Sequence, residues 1–372
     1  MQSHLSPSPA ADQAPTRGQP EPLDIDQIRG DFPALDQTVH GHPLAYLDSA
    51  ATALKPQSVI DAITQVYSRD CGNIQRGVHA LSQRATHSYE AARAAVSRFV
   101  GAAAADEIVF TAGATAAVNL VAQSWAGTHL RAGDRIVVTE LEHHSNLVPW
   151  QRAAAAVGAE VVAAPVATSG PDTGRVSLDD LDRLITERTR LVAVSHVSNV
   201  LGTVLPIAEI AELARARGAR LLVDGAQAAP HLPLDVAALG CDFYVISGHK
   251  LYGPSGVGAL WARRDLLAAM EPYQLGGGMI QTVTVAASTY RDSPHRFEAG
   301  TPPIAGAIGL GAAIAYLDGL DSAAVASHER ALCDYAADQL AQVPGLVIHG
   351  PARASRADRR DHIAVLSFTI DG

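Results

Sequence analysis

The chain has 372 residues, of which 48% are apolar and 18% charged, and its formal net charge at pH 7 is −10. This composition is typical of globular proteins, and the length suffices for a large domain plus a smaller one. The acidic balance argues against nucleic acid and anionic membranes as partners. Apolar runs are strand-sized, so no transmembrane helix is predicted. Three cysteines, Cys71, Cys241 and Cys333, form no disulfide framework, and their odd number favours a reducing, cytoplasmic location.

The first 22 residues are rich in Pro, Ser, Ala and Gln, which predicts a disordered tail. They contain no basic stretch followed by an apolar stretch, so no secretory signal is predicted there. Residues 23–45 are expected to form an N-terminal segment that packs on a smaller C-terminal domain.

Short apolar runs alternate with helical patterns through the middle of the chain. Seven runs rich in Val, Ile and Leu show little polar–apolar alternation, which is typical of strands covered on both faces. Helical patterns separate several of these runs, so the order predicts an α/β fold: a mostly parallel seven-stranded sheet with helices on both faces. Ligands collect beyond the carboxyl ends of such strands. The runs are residues 107–111, 135–139, 160–166, 190–196, 219–224, 242–247 and 258–262, and the helical patterns are residues 115–127, 146–157, 178–186 and 208–217.

The pattern changes after residue 298, which predicts a large domain over residues 46–298 and a smaller α+β domain over residues 299–372. Two helices are expected at residues 304–317 and 322–343, and two strands at residues 346–350 and 363–370, joined by a basic loop. The second helix is expected to bury one apolar stripe. Its members are Val325, Leu332, Ala336 and Leu340. Because the last strand ends in a turn signal at the final residue, the small domain is expected to be truncated.

Two chemically distinct side chains follow predicted strands. Asp224 closes one run, and Lys250 follows another in the sequence Ser-Gly-His-Lys. A lone Asp there could equally be the N-cap of a helix. A lysine and a carboxylate at strand ends are nevertheless what pyridoxal phosphate requires. The lysine forms a Schiff base with its aldehyde, and the carboxylate keeps its pyridine nitrogen protonated. The glycines around Lys250 would let a flat cofactor approach the backbone.

Other polar residues near strand ends could complete such a site. Thr115 follows a strand and a glycine turn, where a helix N-terminus would favour a phosphate. His143 belongs to a Glu-His-His cluster that could suggest zinc. Adjacent residues rarely converge on one ion, so no metal site is predicted and stacking on an aromatic cofactor is preferred. Asn199 could be purely structural or could contact a substrate carboxylate.

Several motifs together resemble a known family. The sequence CDFYVISGHKLYGPSGVGAL resembles the lysine-binding signature of class V aminotransferase-fold enzymes, which are fold-type I pyridoxal phosphate enzymes. Further motifs resemble the SufS-type, or group II, cysteine desulfurases: LAYLDSAATALKP, RGVHALS, LEHHSNLVPWQ, SHVSNVLGT, VDGAQA and FEAGTPP. The resemblance extends from about residue 23 to residue 372.

The resemblance implies roles around the cofactor ring. Lys250 would form the Schiff base and then move the Cα proton of the substrate as general base. Asp224 would pair with the pyridine nitrogen, and Gln227 would hydrogen-bond the phenolic oxygen. His143 would stack on the ring and help to shuttle protons.

The resemblance also implies how phosphate and substrate are held. Thr115, Ser247 and His249 would bind the phosphate. Thr301 would reach the phosphate of a neighbouring subunit, so the active unit would be a homodimer. Asn199 would help to hold the substrate carboxylate. The implied reaction converts L-cysteine to L-alanine and leaves the sulfur as a persulfide for iron–sulfur cluster assembly, through an acceptor of SufE or SufU type.

Three departures from the family pattern stand out. The segment that carries the persulfide-forming cysteine in relatives, and the arginine that anchors the substrate carboxylate, would follow residue 372 and are expected to be missing. Cys71 is the alternative acceptor within the chain. Gln75 occupies a position where many relatives have His. Ala114 and Ala116 stand where relatives often have Thr and Glu, so one phosphate donor is expected to be absent.

Three alternatives remain at this level. Another class V enzyme, such as a selenocysteine lyase, would share these motifs. A pyridoxal phosphate-binding pseudoenzyme that associates with sulfur-transfer proteins would bind the cofactor without turnover. A nicotinamide oxidoreductase is disfavoured because no glycine-rich dinucleotide motif opens a helix after a strand.

Overall fold

A computed structural model describes residues 23–75, 77–353 and 361–371. The predicted N-terminal tail, Arg76 and most of the predicted basic loop lie outside these ranges. The strands are β1 (Thr38–Val39), β2 (His42–Pro43), β3 (Ile108–Thr111), β4 (Arg135–Thr139), β5 (Glu160–Ala164), β6 (Thr189–Ser195), β7 (Arg220–Asp224), β8 (Phe243–Ser247), β9 (Gly258–Ala262), β10 (Ile280–Val283), β11 (Ser288–Tyr290), β12 (Leu346–His349) and β13 (Ser367–Ile370).

The α-helices include long ones that the sequence patterns did not identify, α2 and α3. The helices are α1 (Ile25–Gly30), α2 (Gln57–Arg69), α3 (Ala80–Phe99), α4 (Ala114–Val121), α5 (Gly127–His129), α6 (Val148–Val157), α7 (Leu178–Leu184), α8 (Ile207–Ala216), α9 (Val236–Leu239), α10 (Arg264–Ala269), α11 (Ile304–Asp318) and α12 (Ser322–Leu340). A π-helical turn, Ala122–Ala126, joins α4 to α5.

All seven predicted strands form one sheet, in the order β3-β9-β8-β7-β6-β4-β5. Strand β9 runs antiparallel to both of its neighbours, and the other pairs are parallel. The α/β prediction is therefore confirmed. Because the parallel strands share one direction, their carboxyl ends meet at the same edge of the sheet.

Both faces of the central strands of this sheet are buried, which explains the missing polar–apolar alternation. In β6, Val192 and Val194 belong to a cluster beneath α3, α8 and α11. Leu191 and Ala193 of the same strand belong to a cluster beneath α4, α6 and α10. Successive side chains of a strand point to opposite faces, so apolar residues are needed at every position.

Helix α11 packs against α2 and α3 and contributes Leu310 and Ile314 to the main core. The N-terminal segment joins the same region, because the Tyr316 hydroxyl donates to Asp31 at 2.9 Å. Phe32 contacts the rings of Tyr252 and Tyr316. The division of the chain at residue 298 stays a prediction.

The stripe predicted for α12 is only partly buried: Val325, Ala336 and Leu340 are half-buried. The buried residues of this helix are Ala324, Cys333 and Ala337, whereas Leu332 is 52% exposed. Each residue turns a helix by about 100°, so a packing face displaced by one position leaves the predicted stripe at its edge. Spacing alone could not tell these neighbouring faces apart.

Within the described residues, no single helix is long and apolar enough to cross a membrane. Helices α11 and α12 pass that test only as a pair, by length and composition, and a bend of 85° separates them.

Candidate active site

The carboxyl ends of β7 and β8 and the turn after β3 open into a cavity of about 750 Å³. Eight of the nine predicted site residues line it: Thr115, His143, Asn199, Asp224, Gln227, Ser247, His249 and Lys250. These eight side chains therefore do lie together at the edge of the sheet where the sequence predicted a ligand site. The ninth residue, Thr301, is exposed and lines a separate cavity of about 170 Å³ beside Gln75 and His295.

A tight turn after β8 carries Lys250. The Leu251 and Gly253 amides donate to the Gly248 carbonyl at 3.0 and 2.9 Å. A Cβ atom on Gly248 would lie 2.8 Å from the Val257 carbonyl oxygen, so the turn needs glycine there. Burial lowers the pKa of Lys250, and the nearby Asp224 carboxylate opposes that shift. The turn thus presents a desolvated amine to the cavity.

Asp224 ends β7 and is 6% exposed. Its Oδ1 accepts from the Ala226 amide at 3.0 Å, but turns rather than a helix follow it. The N-cap alternative is therefore wrong. Burial raises the pKa of Asp224, while the Ala226 amide and the positive charge of Lys250 favour the ionised form. Within the described ranges this carboxylate makes no ion pair.

His143 caps a short 3₁₀ helix, His144–Asn146, at the rim of the cavity. Its Nδ1 accepts from the Ser145 amide at 3.1 Å and lies 2.7 Å from the Ser145 hydroxyl. Burial lowers the pKa of His143, so the neutral ring is favoured. A flat, neutral ring held in this way is suited to stacking on an aromatic ligand.

Glu142, beside His143, forms a buried network that the sequence did not reveal. Its Oε1 accepts from the Thr139 hydroxyl at 2.7 Å and the Ser195 amide at 3.0 Å. Its Oε2 accepts from the Ser195 hydroxyl and the Asn146 amide group, both at 2.7 Å. Burial raises the pKa of Glu142 to about 7, against these hydrogen bonds. The network ties the His143 loop to the end of β6.

The phosphate-binding prediction needs one correction. Helix α4 begins at Ala114 with Gly113 as its N-cap, not at Thr115. Gly113 has φ 141°, a backbone conformation that L side chains rarely adopt. The turn therefore requires glycine at position 113, and the helix begins directly after it. Thr115 still lines the cavity together with Ser247 and His249.

The donor set suits pyridoxal phosphate. Gln227 is 3% exposed, and its Oε1 has no hydrogen-bond partner among the described residues. Because its amide can present either oxygen or NH₂, a polar ligand group would satisfy it. Asp224 offers a buried acceptor for a cationic ring nitrogen, Lys250 a desolvated amine, and the N-terminus of α4 a phosphate site.

Other lining residues escaped the sequence analysis. They include Ala50, Ala51, Asn119, Gln123, Ser195 and Tyr273. Ala50, Ala51 and Ser195 lie in motifs that the resemblance had singled out, and the other three do not. Among the described residues, no group of three His, Cys, Asp or Glu side chains could hold a metal ion.

The cysteines lie apart from this cavity. Cys71 is exposed, whereas Cys241 and Cys333 are buried, as expected for packing residues. Burial raises the pKa of Cys241 to about 12, so its thiol stays protonated. None of the three belongs to the described residues that line the large cavity.

The chain is similar to known proteins over most of its length. The family model described as aminotransferase class-V matches residues 45–371. A cysteine desulfurase of Escherichia coli (strain SE11) is 50% identical, and the match covers 93% of this chain and 82% of the relative. A probable cysteine desulfurase 1 of Mycobacterium leprae is 47% identical over 94% of this chain, which spans only 56% of that relative.

Solved structures extend the comparison. The cysteine desulfurase CsdA from Escherichia coli matches with a TM-score of 0.84 and 41% identity, covering 94% of this chain and 83% of that one. A C-DES mutant with glycine covalently linked to its PLP cofactor matches with a TM-score of 0.79 and 27% identity, over 92% of this chain and 86% of that one. The chain therefore belongs to the class-V aminotransferase family and, within it, to the cysteine desulfurases.

Proposed function

We propose that this protein is a pyridoxal phosphate-dependent cysteine desulfurase. It would convert L-cysteine to L-alanine and pass the sulfur to a thiol as a persulfide. The observation that carries the proposal is the meeting of Lys250, Asp224 and Gln227 in one cavity, with the Gln227 Oε1 lacking a partner among the described residues. Relatives named as cysteine desulfurases, 47–52% identical, support the choice of reaction.

Lys250 would hold the cofactor aldehyde, Asp224 the pyridine nitrogen and Gln227 the phenolic oxygen. Thr115, Ser247 and the N-terminus of α4 would hold the phosphate, and His249 would complete its donors. When bound, pyridoxal phosphate supplies an electron sink that stabilises negative charge at the substrate Cα.

Lys250 is suited to moving the substrate Cα proton. An amine must be neutral to accept a proton, and burial lowers the pKa of Lys250 toward the range where that form is populated. The Asp224 carboxylate limits this shift, because it stabilises the charged ammonium. His143, whose pKa is lowered, would lie against the ring as a neutral imidazole.

Asn199 lies at the rim of the cavity and would donate to the substrate carboxylate. In the sulfur step, an attacking thiolate would form the S–S bond as the C–S bond breaks. The electron pair of that bond would remain on the substrate carbon, which takes a proton to give alanine.

The same proposal extends to partners. The persulfide sulfur would pass to an acceptor of SufE or SufU type for iron–sulfur cluster assembly in the cytoplasm. Thr301 is exposed and lies outside the large cavity of its own chain. It would bind the phosphate of a second copy, so we propose a homodimer.

The test is product formation from L-cysteine by the chain loaded with pyridoxal phosphate, with a reductant present to release thiol-bound sulfur. L-alanine and sulfide should appear in equal amounts. Lys250→Ala should lose both turnover and the visible absorption of covalently bound cofactor, because Lys250 alone would attach it.

Contrary results would be informative. Lys55 is the only other lysine of the chain, so covalent cofactor retained in Lys250→Ala, mapped by mass spectrometry, would contradict the site assignment. A wild-type chain that binds the cofactor but forms neither product, even with an external thiol supplied as sulfur acceptor, would contradict the desulfurase proposal and favour the pseudoenzyme. A strong preference for L-selenocysteine would favour a selenocysteine lyase.

A further inference from the structure

Lysine is rare in this chain. Of its 28 lysine and arginine residues, only Lys55 and Lys250 are lysines, so the other 26 cations are arginines. Lys250 is the proposed cofactor lysine. Lys55 is therefore an exception in a chain whose other positively charged residues are almost all arginines. Its surroundings should show why this position holds lysine and not arginine.

Lys55 contacts the residue that precedes Lys250, although 195 positions separate the two lysines (250 − 55). The Lys55 Nζ donates to the His249 carbonyl oxygen at 3.0 Å, and it also donates to the Ala53 carbonyl. His249 immediately precedes Lys250 in the chain. Its carbonyl belongs to the same planar peptide unit as the Lys250 amide nitrogen, so whatever fixes that oxygen fixes the backbone at Lys250.

Three donors from one short segment converge on this oxygen. Besides Lys55, the Ala53 amide donates to the His249 carbonyl at 3.0 Å, and the Thr52 hydroxyl donates to it at 3.3 Å. A carbonyl oxygen has two lone pairs. Three donors on the His249 carbonyl are therefore more than a backbone carbonyl ordinarily accepts. The segment before α2 thus clamps the peptide that leads into Lys250.

The charge of Lys55 is directed at carbonyl oxygens. Among the described residues, Lys55 forms no ion pair, and its side chain is half-buried. Burial lowers the pKa of Lys55 to about 8. Hydrogen bonds from a charged donor are roughly twice as strong as neutral ones, so they offset part of the desolvation cost.

The shape of the cation explains why lysine remains here. An ammonium is a compact point charge with three rotatable donors, whereas a guanidinium is a broad planar fork. The Ala53 and His249 carbonyl oxygens both accept from the Lys55 Nζ, so a single nitrogen contacts both. A guanidinium would have to push these two backbone segments apart.

We propose that Lys55 is a positioning residue, whose ammonium group holds the His249 carbonyl and thereby fixes the backbone and reach of Lys250. This inference deepens the proposed function and rests on Lys250 being the cofactor lysine. Lys55 does not line the cavity within the described residues, so it acts through Lys250 and not on the substrate.

The test replaces Lys55 with methionine, which keeps the length of the side chain but removes the charge and donors. We expect Lys55→Met to lower kcat for L-cysteine about 10- to 100-fold with KM little changed, because misplacing a reactive group by 1 Å can cost about 100-fold. Covalent attachment of pyridoxal phosphate to the apoprotein should slow by a similar factor. This second readout, followed by absorption, does not depend on turnover.

Two variants define the contribution of the ammonium. Lys55→Arg keeps the positive charge but changes its shape, so it should attach the cofactor more slowly than wild type. Lys55→Gln keeps a neutral donor and should also be impaired, and it covers the case in which Lys55→Met does not fold. Wild-type attachment rates and kcat in Lys55→Arg would contradict the need for a compact ammonium.

The matched control is Arg131→Met. The Arg131 Nη1 also donates to two main-chain carbonyls, those of Thr128 at 2.8 Å and Leu130 at 2.7 Å, but outside the cavity lining. Arg131→Met should lower the melting temperature without changing the rate of cofactor attachment. If Lys55→Met and Lys55→Gln lower only the melting temperature, and leave kcat and the attachment rate at wild-type values, the proposal is overturned. Failure of wild-type turnover with normal attachment would instead count against the desulfurase proposal.

Discussion

Glu142 shows how a single buried side chain can hold an active-site loop. Both of its carboxylate oxygens accept two hydrogen bonds, from residues on β4, β6 and the His143 loop. Asn146, one of the donors, cannot turn its amide freely, because its Oδ1 accepts from the Trp150 indole at 3.0 Å. The orientation of each group in the network is therefore fixed by its neighbours.

Glu142→Gln should lower the free energy of unfolding by about 1–3 kcal/mol, the cost of a buried polar group left without a partner. A glutamine NH₂ in place of Oε1 would face the Ser195 amide, and in place of Oε2 it would face the Asn146 NH₂. In either orientation, the glutamine NH₂ donor would face another N–H donor. Urea denaturation monitored by circular dichroism measures the change.

Glu140→Gln is the neighbouring control. Glu140 Oε2 accepts from the Val166 amide at 2.9 Å at an exposed position, so this substitution should change stability by less than about 0.5 kcal/mol. Equal losses in the two variants would contradict the network as the cause.

At the scale of elements, the start of β9 and the turn before α4 approach each other unusually closely. A Cβ atom on Gly258 would lie 2.7 Å from the Gly113 Cα and 2.5 Å from the Ile246 carbonyl oxygen. Backbone therefore lies against backbone where β8, β9 and the phosphate-binding turn meet. The absence of one side chain lets the N-terminus of α4 reach the sheet edge.

Gly258→Ala should destabilise the protein by about 1–3 kcal/mol, because overpacking displaces the neighbouring backbone. The displaced element includes Gly113, so the affinity for pyridoxal phosphate should fall as well. Equilibrium titration of the apoprotein, followed by cofactor absorption, measures that loss.

Gly127→Ala provides the opposite expectation. Gly127 is helical, with φ −58°, and a Cβ atom there meets nothing within 4 Å. The substitution should raise stability by about 0.4–1 kcal/mol through the entropy of the unfolded chain, with unchanged cofactor affinity. Similar behaviour of both alanine variants would disprove the close-approach argument.

At the scale of the whole molecule, a buried ion pair joins distant parts of the chain. Arg93 of α3 donates to Glu298 at 2.7 and 2.9 Å, and the side chains are 2% and 3% exposed. Glu298 also accepts from the Tyr89 hydroxyl at 3.0 Å and the Phe110 amide at 2.8 Å. One carboxylate therefore connects α3, the edge strand β3 and the segment that leads to α11.

Glu298→Gln should lower the free energy of unfolding by about 3 kcal/mol, the lower end of the range for breaking a buried ion pair. It removes the buried counter-charge of Arg93 and leaves only the pair with the partly exposed Glu90. Thermal and urea unfolding should both report the loss. Asp106→Asn is the contrast, since it removes the exposed ion pair with Arg264, and such pairs contribute about 0–1 kcal/mol. An equally small effect at Glu298 would contradict the central role of this pair.

The sequence by itself determined the sheet and the place of the site. Strands buried on both faces need apolar residues at every position, so all seven could be identified from local composition. Parallel strands share one edge for their carboxyl ends, so residues after strands, such as Asp224 and Lys250, could be predicted to meet. The order of the strands was not predicted, because many orders satisfy the same local patterns.

Only the tertiary structure decided which distant groups contact one another. Three contacts join residues far apart in the chain: Lys55 with the His249 carbonyl, Ser195 with Glu142, and Arg93 with Glu298. No local spacing predicts such contacts. The buried face of α12 also depended on its packing partners, because faces one residue apart have nearly the same periodicity. Local chemistry therefore determined the elements and the reactive groups, and long-range packing determined how those groups are held.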